Sequence, residues 1–180
     1  MMVYLIDKRA SSAGVPRPAG LAALRADPSG FEARWRRVIG SLRGHDDAQI
    51  VFADSGDSVE SLLQRVIDRV PNPWSIYMLR ILAHGSPGFI QLGTGVRQGQ
   101  ARLFSRLAHH MTPERLRGRG VQIHGCNVGQ GRRGARLLQS IANAIGTPVA
   151  ASPVVQTPDT RFRFEGSATT AEPQRRPHGR

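Results

Sequence analysis

Cysteine occurs once in 180 residues, as Cys126, and lysine once, as Lys8. The single cysteine excludes an intramolecular disulfide framework and any zinc site built on several thiolates. Aromatic residues make up only 6% of the chain. No apolar run nears the roughly 20 residues that a membrane-spanning helix needs. The opening MMVYLIDKRA has no cationic stretch ahead of its short apolar run, which sets it apart from a secretory signal. The expectation is a soluble protein of a reducing compartment, most simply the cytoplasm, with signal-less export as the alternative. No membrane partner and no cofactor are expected.

What is present in excess is arginine. The net charge of +12 rests almost entirely on guanidinium groups, which stay charged at any physiological pH. Such a charge attracts acidic partners, nucleic acid or an anionic surface. The arginines do not form one helical stripe interleaved with aromatics, so nucleic acid is not expected as the main partner. The length and the 39% hydrophobic content suit one domain with its own core.

Along the chain, MVYLID (2–7) reads as a buried strand and residues 8–30, rich in Ala, Gly, Pro and Ser, as loop. Phe31, Trp35, Val38, Ile39 and Leu42 recur at helical spacing, and residues 48–56 read as a second strand. Asp57 and Glu60 have capping-box spacing ahead of a helix that carries Val59, Leu62, Leu63, Val66, Ile67 and Val70 on one face and stops at Pro71. Residues 75–85 read as one long strand, with 88–93 pairing beside it across the turn GSPG. A helix is expected over 101–110, a strand over VQIHGC (121–126), a helix over 131–146 and a core strand over 148–152. FRFEG (162–166) reads as an edge strand, and the polar end of the chain as disordered. Strands alternating with helices, several of them continuously apolar, predict an α/β layered domain with a central, mostly parallel sheet flanked by helices.

In such sheets ligands bind beyond the carboxyl ends of the strands. His84 and Cys126 each stand at the carboxyl end of an expected strand. A thiol attacks a carbonyl as thiolate, and a neighbouring imidazole can take its proton and later return it to the leaving group. The adjoining Gly85 and Gly125 allow close backbone approach. The amides of Gly85 and Cys126 are candidates to hold an oxyanion. Against this stands the plain reading of Cys126 as a small buried hydrophobe.

ILAHGSPGFIQLGTG followed by VQIHGCNVGQGRRGARLLQSIANAIGTPVAAS resembles the caspase-like domain family DUF4347, within the wider caspase, metacaspase and gingipain fold group. The resemblance runs from about Gln49 to Ser152. It implies a three-layer caspase-like domain over 48–166, with residues 1–47 of open attachment and 167–180 as a disordered tail. It also implies a cysteine endopeptidase dyad with Cys126 as nucleophile, His84 as general base, and the Gly85 and Cys126 amides as oxyanion donors. The 42 residues between the pair suit caspases, whose histidine lies about 50 residues ahead of the cysteine. The implied partner is a protein or peptide substrate, with a homodimer left open. Asp54 and Asp57 could line a pocket for a basic residue, or serve only as turn and helix cap.

Two rivals are drawn from the same residues. Cys126, Gly129 and Arg132 have the C-x-x-G-x-x-R spacing of a cysteine phosphatase loop, in which backbone amides and the arginine cradle phosphate. Against it, His124 stands two residues before the cysteine rather than one, and no Asp occurs between Asp68 and Asp159 to act as general acid. The other rival is a silent domain that keeps the fold for binding or assembly. GHDD (44–47) and His109-His110 are weaker metal candidates, more simply a turn and a helix end. GTGVRQG (93–99) lacks the Lys-Ser/Thr of a P-loop and reads as a loop. His124 faces the same side as Cys126 by strand alternation, as a site-orienting group or a packed core histidine.

Overall fold

The computed structural model describes residues 1–12, 28–42, 44, 47–70, 72–113, 116, 118–156 and 162–174. Six strands form one sheet: β1 (Met2–Asp7), β2 (Gln49–Ala53), β3 (Met78–Leu82), β6 (Gly120–His124), β7 (Val149–Ala151) and β8 (Thr169–Ala171). Their order is β2-β1-β3-β6-β7-β8. All neighbours are parallel except β8, which runs antiparallel to β7. A separate hairpin pairs β4 (His84–Ser86) with β5 (Phe89–Gln91).

Alternation along the strands sorts the side chains into two faces. Val3, Leu5, Val51, Leu79, Ile81, Val121, Ile123 and Val149 meet the helices α2 (Val59–Arg69) and α3 (Gly131–Ile145) and a 3-10 helix over Gln98–His110. Tyr4, Ile6, Ile50, Phe52 and Leu82 face the other way, toward Trp35 and Ile39 of α1 (Pro28–Gly40) and Phe162. The molecule is thus an α/β domain with helices on both faces of a mostly parallel sheet, as the alternation of elements predicts.

The N-terminal strand, whose attachment the sequence left open, lies in the interior of the sheet, hydrogen-bonded to β2 on one side and β3 on the other. The domain therefore reaches back beyond residue 48. It also reaches past residue 166, because Thr169–Ala171 of the expected disordered tail closes the sheet as β8 and buries Ala171. Residues 162–166 are no strand. Phe162 takes a φ of 52°, which turns the chain out of extended geometry, and its ring packs on Tyr4 at 5.1 Å, on the sheet's face rather than its edge.

The expected single strand over 75–85 is two, β3 and β4, since the chain leaves the sheet at Ala83 to form the hairpin. The expected helix over 101–110 begins earlier and winds as a 3-10 helix. Its buried residues Ala101, Phe104 and Leu107 recur every third position, and three residues per turn puts them on one line. In α2 the cap is Ser58, whose Oγ accepts from Ser61 N at 3.1 Å, and not Asp57. The expected stop at Pro71 lies outside the described residues, as do most of residues 8–30.

Gly134 shows how tightly α3 meets the loop before it. A Cβ there would stand 2.3 Å from the carbonyl carbon of Gly129 and 2.6 Å from Val128 O. Alanine normally stabilises a helix interior by about 1 kcal/mol over glycine. Here the collision is with backbone, and overpacking of that kind costs about 1–3 kcal/mol. Gly134→Ala is therefore expected to lower stability in urea denaturation, opposite in sign to the helix-propensity expectation.

Candidate active site

Parallel neighbours β3 and β6 end together. Leu82 is in register with His124, and Ala83 N donates to His124 O at 3.3 Å. The next residues on each chain are therefore brought side by side: His84-Gly85 on one, Gly125-Cys126 on the other. The two glycines are required by this contact. A Cβ on Gly85 would lie 3.0 Å from Cys126 O and 2.3 Å from a methyl of Val128; one on Gly125 would lie 2.8 Å from Ala83 O.

The side chains of the pair are engaged elsewhere. His84 Nε2 lies 2.9 Å from Arg9 O. A carbonyl only accepts, so Nε2 carries the proton and Nδ1 of the neutral ring keeps its lone pair. Cys126 is a free, half-buried thiol. Gln156 N donates to its sulfur at 3.4 Å, and the thiol points to Gln156 O at 3.7 Å. Among the described residues no hydrogen bond joins His84 to Cys126.

The segment 152–156 covers the loop that follows the cysteine. Asn127 N donates to Val154 O at 3.0 Å, and Gly129 N to Ser152 O at 2.9 Å. Two of the amides that a phosphatase loop would turn on phosphate are thus already spent on protein carbonyls. Arg132 is exposed on the first turn of α3. The phosphate cradle expected from Cys126, Gly129 and Arg132 does not form in this arrangement.

Asp54 and Asp57 are each engaged by other groups. Asp57 closes the turn by accepting from Asp54 N at 2.8 Å and pairs with Arg65. Partial burial alone would raise its pKa, but the Asp54 amide and the Arg65 guanidinium outweigh that and hold it below the usual carboxylate value. Asp54 pairs with Lys8 at 3.1 Å. Of the metal candidates, His45 and Asp46 lie outside the described residues, and His109 packs on the ring of Trp74 at 5.6 Å. Among the described residues no group of three or more His, Cys, Asp or Glu side chains could hold a metal ion.

His124 is a packed strand histidine, half-buried at the end of β6. It stacks on Phe164 at 4.8 Å and 15°, meets Phe162 edge-on, and leaves Nε2 buried without a partner among the described residues. Burial, with nearby Arg80 adding to it, holds its pKa down to about 3.

The residues that sequence reasoning missed are Asp7, Arg9 and Gln156. Asp7, 1% exposed, ends β1. It accepts from Arg9 N at 2.9 Å, from Arg9 Nε and a terminal guanidinium nitrogen at 2.8 and 2.7 Å, and from Gly93 N at 2.9 Å. The same guanidinium reaches Gln91 O at 3.2 Å and Gly93 O at 2.6 Å. Arg9, whose carbonyl holds His84, is therefore fixed at both its backbone and its side chain. A signal was available: an acidic residue at the carboxyl end of an apolar strand, followed by Lys8-Arg9, is where such sheets keep functional polar groups.

Comparison with known families gives a match. The sequence model of a domain of unknown function, DUF4347, fits residues 35–157. No curated protein and no solved structure matches. The matched span takes in His84, Cys126 and Gln156, while β1 with Asp7 and Arg9 lies ahead of it.

Two outcomes follow. Removing the Asp7 charge strands Arg9, and breaking a buried pair costs about 3–5 kcal/mol. Arg9 is one-third exposed, so Asp7→Asn should lie at the low end, about 3 kcal/mol in urea denaturation. For His124 the folded pKa of about 3 lies below the ordinary 6.5, so its contribution is full above 6.5 and is lost as pH falls toward 3. The wild type should lose up to about 1.4 kcal/mol per pH unit across that window. His124→Phe should flatten the slope, read by denaturation at a series of pH values.

Proposed function

Taking as premise that the chain belongs to the DUF4347 family, we propose that it is a caspase-like cysteine endopeptidase, with Cys126 as nucleophile and His84 as general base. One observation carries the reading. At the paired ends of β3 and β6, the Arg9 carbonyl engages Nε2 of His84 and leaves Nδ1 as the ring's free base, with the Cys126 backbone packed on Gly85.

In the proposed reaction Nδ1 takes the Cys126 proton and the thiolate adds to the substrate carbonyl carbon. The developing oxyanion is met by the amides of Gly85 and Cys126. The imidazolium returns the proton to the leaving amine, and the C–N bond breaks. Water, deprotonated by the same imidazole, then hydrolyses the thioester and restores the thiol. Gln156 must leave the sulfur for this to happen. A substrate strand lying along the Cys126 loop would compete with segment 152–156 for the same amides.

The hold of Gln156 on the thiol also favours a second reading, a silent domain used for binding. A fluorogenic peptide library, varied at the residue before the cut, separates the two. Cleavage that falls by about a thousandfold or more in Cys126→Ala and by at least a hundredfold in His84→Ala supports the dyad. A wild type inert on every member, before and after trimming of the chain ends by limited proteolysis, overturns it in favour of the binding domain.

A further inference from the structure

The sequence between Asp68 and Asp159 contains a single carboxylate, Glu114, and many arginines. A chain of contacts brings four of these arginines to the same side of the candidate site. Arg132, Arg133 and Arg136 stand exposed on the first turns of α3, directly after the Cys126 loop. The backbone of Arg133 abuts the turn of the β4–β5 hairpin, where a Cβ on Gly88 would meet Arg133 O at 2.9 Å. Gly88 N in turn donates to Val128 O, which ties that turn to the Cys126 loop. Next to Gly88, Phe89 carries the guanidinium of Arg97 over its ring at 4.4 Å. These contacts thus run from α3 across the hairpin that begins with His84 to the start of the 3-10 helix.

None of the four takes part in an ion pair among the described residues, whereas Arg9, Arg36, Arg65 and Arg106 each do. Four uncompensated cations at one rim raise the local concentration of anions there. From this we infer that Arg97, Arg132, Arg133 and Arg136 form a docking surface for an acidic stretch of a polypeptide. Resting on the peptidase reading, that polypeptide is the substrate, held by its Asp and Glu side chains while a neighbouring bond is presented to Cys126. Single-stranded nucleic acid is the poorer fit. It is held by open aromatic faces as well as by charge, and here Phe89 is already covered by Arg97 and Phe104 is buried.

The test uses the full chain carrying Cys126→Ala, so that binding is read without turnover. A fluorescent oligoglutamate peptide is titrated by anisotropy beside a single-stranded oligonucleotide of matched charge. Oligoglutamate should bind the more tightly, and added salt should weaken it. The triple variant Arg132→Glu, Arg133→Glu, Arg136→Glu should weaken binding by roughly tenfold or more. A charge-matched control, Arg37→Glu, Arg69→Glu, Arg163→Glu, should change it by less than about threefold. If charge reversal disturbs folding, the corresponding Arg→Gln variants carry the same comparison. Equal losses in test and control sets, tighter binding of the oligonucleotide, or no oligoglutamate binding at all would each overturn the surface.

A second arm appends an oligoglutamate run to a cleaved library peptide. A rise in kcat/KM that disappears in the triple variant supports the recruitment of substrate. If oligoglutamate binds but no peptide is ever cut, the peptidase reading fails and the docking surface stands, its occupant a partner rather than a substrate.

Discussion

A single buried carboxylate holds the carboxyl edge of the sheet together. Asp7, at the end of β1, is removed from water and accepts from the amides of Arg9 and Gly93 and from two nitrogens of the Arg9 guanidinium. A buried charge of this kind is tolerated only when its acceptor sites are filled. Filling them forces three separate pieces of chain to meet: the turn after β1, the β5 end of the hairpin and, through the Arg9 carbonyl, the imidazole of His84. Gly93 is part of the same junction. Its φ is +54°, and its Cα faces Asp57 O so closely that a Cβ would stand 2.2 Å away, where no other residue fits without moving the Asp54–Asp57 turn.

The same edge explains why the cysteine and histidine are close without being joined. Parallel pairing of β3 with β6 sets the backbones in register, and the glycine beside each residue lets the two strand ends touch. Side-chain partners are then supplied from elsewhere, by Arg9 for the histidine and by Gln156 for the thiol. On the far face of the sheet Arg80 donates to Tyr4 Oη at 3.1 Å and to Gln122 Oε1 at 3.0 Å. That arrangement answers how a charged residue sits in a core strand: Tyr4, Arg80 and Gln122 are in register across three neighbouring strands and face the same way. Phe162 lies over the guanidinium at 5.0 Å, and His124 stays neutral nearby.

Much of this architecture was legible in the residues. The apolar face of α2, the helix α3 ended by Gly146 in left-handed geometry, and the buried run of β1 are readable because period and burial coincide in them. That His84 and Cys126 follow two core strands was legible for the same reason, although β3 ends at Leu82 and β6 at His124, so that His84 opens the hairpin and Cys126 lies in a turn. Where local pattern and tertiary context compete, the reading diverged. Phe162 and Phe164 look like strand residues but serve as a lid of rings on the sheet. Thr169–Ala171 looks like polar tail but finds an unpaired strand edge in β7. Asp57 has a cap's spacing, yet Arg65 and the Asp54 amide compete for its carboxylate, leaving the cap to Ser58.

By itself the sequence determined the class of fold, the alternation of strands and helices, and after which core strands an imidazole and a thiol follow, because those depend on periodicity and chain order alone. Only the tertiary structure decided that Asp7 and Arg9 belong to that edge, that Gln156 covers the sulfur, and that the hairpin carrying Phe89 and Arg97 abuts Arg133 of α3. Each of those contacts joins residues 30 or more positions apart or depends on how a loop is held. Hydrogen-bond geometry and desolvation across such separations are set by packing, for which local sequence pattern has no counterpart.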